Sequence, residues 1–350
     1  MKAPFLPVLI ALVSLAPCAR AADLIRPKVV VVTMFEPGKD TGDAPGELQF
    51  WVEREQLDRV VPLPAGFHDV RANADASVVA IVTGVGNTRA AATIMALGSD
   101  PRFDFARSYW LVAGIAGGDP AEASLASAVW AEWVVNGDLG HEIDPREAPA
   151  DWSTGYVPLR RSKPYEQPLV TDDSSQVFHL DAGVVNWAYE LTKNVKLVDT
   201  EGMADRRRKF PGFPNAQRPP FVLKGDTLSS ETFWHGKLLS QWASEWVKYH
   251  TAGHGRYVTT AMEDTGTLQS LTWLAHAGRA DVRRVLVLRT VSNFDQQQEG
   301  MTAAESLFGE KLGSYSAYVP ALESAYRVGS AVVHELVANW PRYENTLPKN

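Results

Sequence analysis

Hydrophobic positions in this chain gather in short unbroken runs, each closed by a polar or glycine-rich turn. Lys28–Met34 (Lys-Val-Val-Val-Val-Thr-Met) is β-branched through most of its length and stops at Phe35-Glu36-Pro37-Gly38. Ser77–Thr83, Ser108–Ala113, Ser127–Val135, Phe221–Leu228 and Arg283–Val291 repeat the pattern. Apolar runs without alternation mark strands buried on both faces, as in parallel sheets. Val60–Leu63 and His68–Val70 read as short edge strands around Pro64. Helical spacing appears between the runs: in Gly46–Gln56 through Leu48, Trp51 and Val52, in Ala-rich Thr88–Leu97, in Ala182–Lys193, in Trp-rich His235–Tyr249 and in Thr267–Ala277. Thr302–Asn339 reads as one or two closing helices. Strands alternating with helices predict an α/β fold with a mixed, largely parallel central sheet flanked by helices.

No linker or repeat divides the chain, so residues 22–350 are expected to form one domain. Gly137–Pro168 is polar and aperiodic, and the region 137–180 is expected to be a lid or an inserted subregion. The basic run Arg206-Arg207-Arg208-Lys209 reads as a solvated loop face. The tryptophans between 234 and 246 are assigned to core or interface, and the scattered histidines to structural places.

The N-terminus changes the setting. Lys2, the apolar run Phe5–Ala16 and the small-residue stretch through Ala19-Arg20-Ala21 form a secretory signal peptide, 1–21, with cleavage expected after Ala21. A periplasmic location follows. Pro17 before Cys18 argues against a lipid-modified start. Cys18 is the only cysteine, so the mature chain has no disulfide, thiol nucleophile or cysteine-based metal site. Losing Lys2 and Arg20 moves the formal net charge from −7 to −9, which argues against nucleic acid as a partner.

The chemistry concentrates at run ends. Gly84 and Gly86 follow one strand, and Gly114, Gly117 and Gly118 follow another. Glycines there let a ligand approach the backbone, although tight turns alone also explain them. The strand after Arg283 ends in Ser292-Asn293-Phe294-Asp295, and Met262-Glu263 opens a helix. Open α/β sheets hold ligands at such strand ends. Glu263 is also explicable as a first-turn carboxylate, and Asn293 as a turn residue. Arg89 breaks the dinucleotide fingerprint that Gly84 and Gly86 begin, and no P-loop, HExxH helix or G-x-S-x-G elbow is present. No cofactor or metal is expected.

Thr83-Gly84-Val85-Gly86-Asn87, Ala113-Gly114-Ile115-Ala116-Gly117-Gly118, Gly225-Asp226, Met262-Glu263 and Arg289-Thr290-Val291-Ser292-Asn293 occur in this order. The set resembles the nucleoside phosphorylase superfamily, including its methylthioadenosine/S-adenosylhomocysteine nucleosidases. With Lys28–Glu36 and Gly140–Asp144 it is most similar to the purine nucleoside permease family. The resemblance implies a nucleoside-phosphorylase-like fold and a purine nucleoside as ligand. Met262 would pack under the sugar and Glu263 would bind its hydroxyls. Gly84, Gly114, Ile115 and Ala116 would bring backbone close to base and sugar. Asn293 would face the purine near N7, where many relatives have an aspartic acid and trimeric purine nucleoside phosphorylases have asparagine. Asp295 is the candidate substitute acid. Phosphorylases carry an arginine and a serine where this chain has Val112 and Ile115, so the resemblance favours hydrolysis, with Glu36 orienting water, or binding without chemistry. The second alternative is a nucleoside-binding component that supports a membrane transporter. A homo-oligomer is the other partner expectation.

Mass spectrometry of the protein exported from a bacterial host should find a mature start at Ala22 without lipid; a diacylated start at Cys18 would overturn the soluble assignment.

Overall fold

The computed structural model describes residues 24–169, 176–309 and 317–349, so the expected leader lies outside the described residues. The valine run becomes the strand Val29–Thr33, buried at every position. It lies between Val78–Val82 and Tyr109–Gly118 and is parallel to both. Tyr109–Gly118 is itself parallel to Val285–Phe294, whose 10 residues are all buried. These four strands carry the main core, and β-branched side chains fill it because both sheet faces are covered.

Among the described residues, one 12-stranded sheet runs through the molecule. Trp133–Asn136, Asp226–Ser229 and Tyr257–Ala261 extend it in parallel, and Tyr257–Ala261 meets the glycine end of Tyr109–Gly118 antiparallel. Antiparallel strands close both edges: Arg59–Val61 and Val70–Ala72 at one, Val177–His179 at the other. The sheet is mixed, as expected: its central pairings are parallel except where Tyr257–Ala261 meets Tyr109–Gly118 and Ala128–Ala131 meets Val285–Phe294. Helices Asn87–Ser99 and Asp264–His276 pack against each other, and Tyr318–Ala338 packs on the central strands. No helix among the described residues is long and apolar enough to cross a membrane.

The structure departs from the sequence pattern at several points. The glycine cluster 114–118 lies inside a strand, because Arg289–Phe294 pairs alongside it. Tyr257–Ala261, with three polar or small residues, is a strand that its composition did not announce. Gly137–Pro168 contains a hairpin, Gly140–Glu142 with Tyr156–Pro158. The basic run is partly helical in Glu201–Arg207, and Arg207 is buried in a two-pronged pair with Asp199.

The runs Ser127–Val135 and Phe221–Leu228 each split in two, for one reason. Ala128–Ala131 pairs with Val222–Lys224 and Val287–Thr290, whereas Trp133–Asn136 changes partner to Thr227–Ser229. At the change, buried Asp226 accepts from the amides of Glu132 (3.2 Å) and Trp133 (2.8 Å) with one oxygen, and from that of Arg256 (2.5 Å) with the other. The carboxylate satisfies donors that the ladder leaves open where two strands part. Asp226→Ala should therefore destabilise the protein by about 2–4 kcal/mol, since each buried donor left unpaired costs about 1–3 kcal/mol before relaxation. Urea unfolding checks this, and Asp226→Asn should lose less.

Candidate functional site

Four strand ends deliver residues to one cavity of about 450 Å³, a size suited to a small organic ligand. Met34 and Phe35 follow Val29–Thr33, and Ile115, Ala116 and Gly117 come from Tyr109–Gly118. Thr260 to Glu263 come from the end of Tyr257–Ala261, and Arg289, Ser292, Asn293 and Asp295 from Val285–Phe294 and the turn after it. Thr232, Phe233 and Trp234 close one side, and Leu307 and Phe308 another. The walls are mostly apolar, so polar contacts to a ligand must come from a few buried groups.

Three of these groups form the floor. The Arg289 guanidinium, 1% exposed, donates to Asp264 (3.1 Å from Nε, 2.5 Å from Nη2), to Glu263 (3.0 Å) and to the Ile115 carbonyl (3.2 Å). Burial works against its charge, but Asp264 and Glu263 outweigh this and push its pKa above the usual value. Glu263 also accepts from the amide of Gly86 at 3.3 Å. Gly86 has φ +100°, and a side chain there would run into Glu231. Burial raises the Glu263 pKa, with Arg289 opposing.

Glu47 is the second floor carboxyl, and it accepts from the amides of Met34 and Ile115, both at 2.7 Å. Burial, with Glu263 nearby, pushes its pKa up to about 8 against the pull of Arg289. The carboxyl fits because residue 114 is glycine: a β-carbon there would overlap both the Met34 methyl and Glu47. Gly114 thus makes room for a protein side chain and does not itself line the cavity.

At the other end stand Asn293 and Asp295. Asn293 accepts from Ser292 Oγ (2.9 Å) and donates to the Phe294 carbonyl (3.1 Å). Asp295 Oδ2 accepts from the Tyr257 hydroxyl (2.6 Å) and Ser240 Oγ (3.0 Å), while its Oδ1 is buried without a partner among the described residues. Burial, then Asp119, raises its pKa far above the carboxylate range.

Of the expected residues, Met262, Glu263, Ile115, Ala116, Asn293 and Asp295 meet at the cavity. Gly84 and Glu36 do not line it. Glu36 accepts from the amides of Gly46, Leu48 (2.7 Å) and Gln49 (2.8 Å), so both its oxygens serve the turn into the helix Gln49–Arg54. Glu47, which the helical spacing of Gly46–Gln56 does not single out, lines the cavity instead. Asp264 and Trp234 were also missed as site residues. The bulk of Trp242 and Trp246 is core, as expected, whereas Trp234 both packs in that cluster and lines the cavity.

The family model described as "Purine nucleoside permease (NUP)" matches residues 26–348. A purine nucleoside permease of Candida albicans is 29% identical over 330 residues, covering 92% of this chain and 78% of the relative. The solved 5′-methylthioadenosine/S-adenosylhomocysteine nucleosidase of Helicobacter pylori is similar in fold, with TM-score 0.53 at 12% identity over 89% of this chain and 100% of that one. Futalosine hydrolase of the same organism is similar too, with TM-score 0.51 at 14% identity over 88% and 98%. The fold is thus nucleoside-phosphorylase-like.

Glu47 also sets a pH dependence. Its folded pKa, about 8, exceeds the ordinary 4.5, so the folded state holds this proton more tightly than the unfolded state does. Its contribution to stability is complete below 4.5 and is lost as pH rises through about 8. Melting temperatures of Glu47→Gln should decline less across that window than those of the unaltered protein; parallel curves would remove Glu47 as the buried acid.

Proposed function

The chain belongs to the purine nucleoside permease family, and from that premise we propose that it binds a purine nucleoside in this cavity and hydrolyses the N-glycosidic bond. The observation that carries the reading is the cavity floor, where Glu47 and Glu263 stand against Arg289, four of whose five N–H groups are engaged by protein oxygens. Cleavage builds positive charge on the sugar, by analogy with other glycosides. Fixed carboxylates stabilise that charge without reorganising. Glu263 takes the ribose hydroxyls, Met262 packs under the ring, and the backbone at Ile115 and Ala116 borders base and sugar. Glu47 in its ionised form accepts the proton of the attacking water: its raised pKa, about 8, makes that form a stronger base than an exposed carboxylate, and its population grows as pH rises towards 8.

The same floor disfavours phosphate as nucleophile. A dianion needs several charge-assisted donors. Arg89 is exposed beside the Phe67 ring, 5.9 Å from its centroid, and does not line the cavity. Val112 is wholly buried in the core, and Ile115 offers no side-chain donor. With the expected leader, the reaction belongs in the periplasm. A second reading, a component that binds nucleosides for a membrane transporter, draws support from Asn293, because an amide cannot transfer a proton.

The test is base release from inosine and adenosine by the mature protein in phosphate-free buffer. Free base and ribose should form, millimolar phosphate should leave the rate unchanged, and Glu47→Gln should lower kcat about 10²–10⁴-fold. A rate proportional to phosphate, with ribose 1-phosphate as product, overturns hydrolysis. Calorimetric binding without base release selects the second reading.

A further inference from the structure

We propose that Asp295, and not Asn293, hands the proton to the leaving purine, and that Tyr257 and Ser240 fix this proton on Asp295 Oδ1. The proposal rests on the hydrolytic reading above and assigns the one role which that reading leaves open.

The strand end is tight around Gly117. A β-carbon on Gly117 would lie 3.6 Å from Asn293 Nδ2 and 3.7 Å from the Asp295 β-carbon, so amide and acid flank the same point of the cavity. Asn293 has its Oδ1 on a hydroxyl and its Nδ2 on a carbonyl, and it has no proton to give. Asp295 is 1% exposed, and its backbone is fixed on both sides: its amide donates to the Gly118 carbonyl (3.0 Å), and its carbonyl accepts from the Gly236 amide (2.8 Å).

The groups around the carboxyl decide its state. Tyr257 approaches from the strand Tyr257–Ala261, Ser240 from the helix Lys237–His250, and Asp119 from the end of Tyr109–Gly118. None is a cation. Buried beside another acid, Asp295 keeps its proton. Two hydroxyls donate to Oδ2, so the proton resides on Oδ1, the oxygen without a partner among the described residues. Asp295 lines the cavity, and its one unpartnered oxygen is the one that carries the proton, so a small shift of the carboxyl on ligand binding is enough for it to act as leaving-group acid.

The step balances. The C1′–N9 bond breaks and its electron pair goes to the purine. The Asp295 O–H bond breaks and its proton goes to N7, which leaves the base neutral. Water forms the new O–C1′ bond and gives one proton to ionised Glu47, which releases it to solvent before the next turnover. Asp295 is left as a carboxylate held by the Tyr257 and Ser240 hydroxyls, and it regains a proton from solvent before the next turnover. Tyr257 is therefore a positioning residue: its hydrogen bond stabilises the anion and so favours proton release.

The test compares two substrates of the mature protein, inosine and p-nitrophenyl β-D-riboside, whose nitrophenolate leaves without protonation. Asp295→Asn should lower kcat on inosine about 10²–10⁴-fold and on the nitrophenyl riboside less than about tenfold. Turnover of the second substrate doubles as the control for folding. Tyr257→Phe should lower kcat on inosine about tenfold with KM unchanged, and it should move the alkaline limb of the pH profile upward, because Asp295 loses the bond that eases its ionisation. If Asp295→Asn spares inosine turnover, or lowers both substrates alike, this assignment is overturned while hydrolysis stands. If the unaltered protein cleaves neither substrate, both fall.

Discussion

The Arg289 guanidinium, shared between Asp264 and Glu263 inside the sheet, is the interaction on which the rest of the site depends. A lone buried charge costs several kcal/mol, and removing one partner of a buried pair commonly costs about 3–5 kcal/mol. Three side chains must therefore meet in register. Arg289 comes from the longest buried strand, Asp264 opens a helix, and Glu263 caps it. The helix then packs on Asn87–Ser99, and the Gly86 amide before that second helix closes on Glu263. One cation thus aligns a strand, two helices and the carboxylate assigned to the ribose.

The arrangement separates two kinds of acid. Glu263 pairs with a cation. Glu47 and Asp295 have none as a hydrogen-bond partner: backbone amides hold the first and hydroxyls the second. Burial dominates both, and both hold protons more tightly than an exposed carboxylate does. Two acids of raised pKa lining one cavity can divide the work, one taking a proton and the other giving one, as glycoside cleavage does.

What was legible in the sequence followed from local pattern. Val29–Thr33, Val78–Val82 and Val285–Phe294 are continuous apolar runs because both their faces are covered, so their composition announces them. As cavity residues, Asn293 was legible at the end of such a run and Glu263 at the head of an apolar helix. Glu47 was not, because its partners are amides of Met34 and Ile115, brought to it only by the parallel pairing of two strands. Glu36 was misplaced for the same reason: nearness to a strand end in sequence does not say which amides a carboxylate meets. Tyr257–Ala261 is a strand through its neighbours more than its propensity.

The room behind Glu47 has a consequence for how this site can vary. Met34, Glu47 and Gly114 divide one small volume, and a β-carbon at 114 overlaps the other two. Packing at this density couples the three positions, so that a gain at one is tolerated only with a loss at another. A shorter side chain at 34 therefore does not by itself admit alanine at 114, because the Glu47 carboxyl occupies the same space. The glycine is held by two neighbours at once, and one of them is the buried acid of the site.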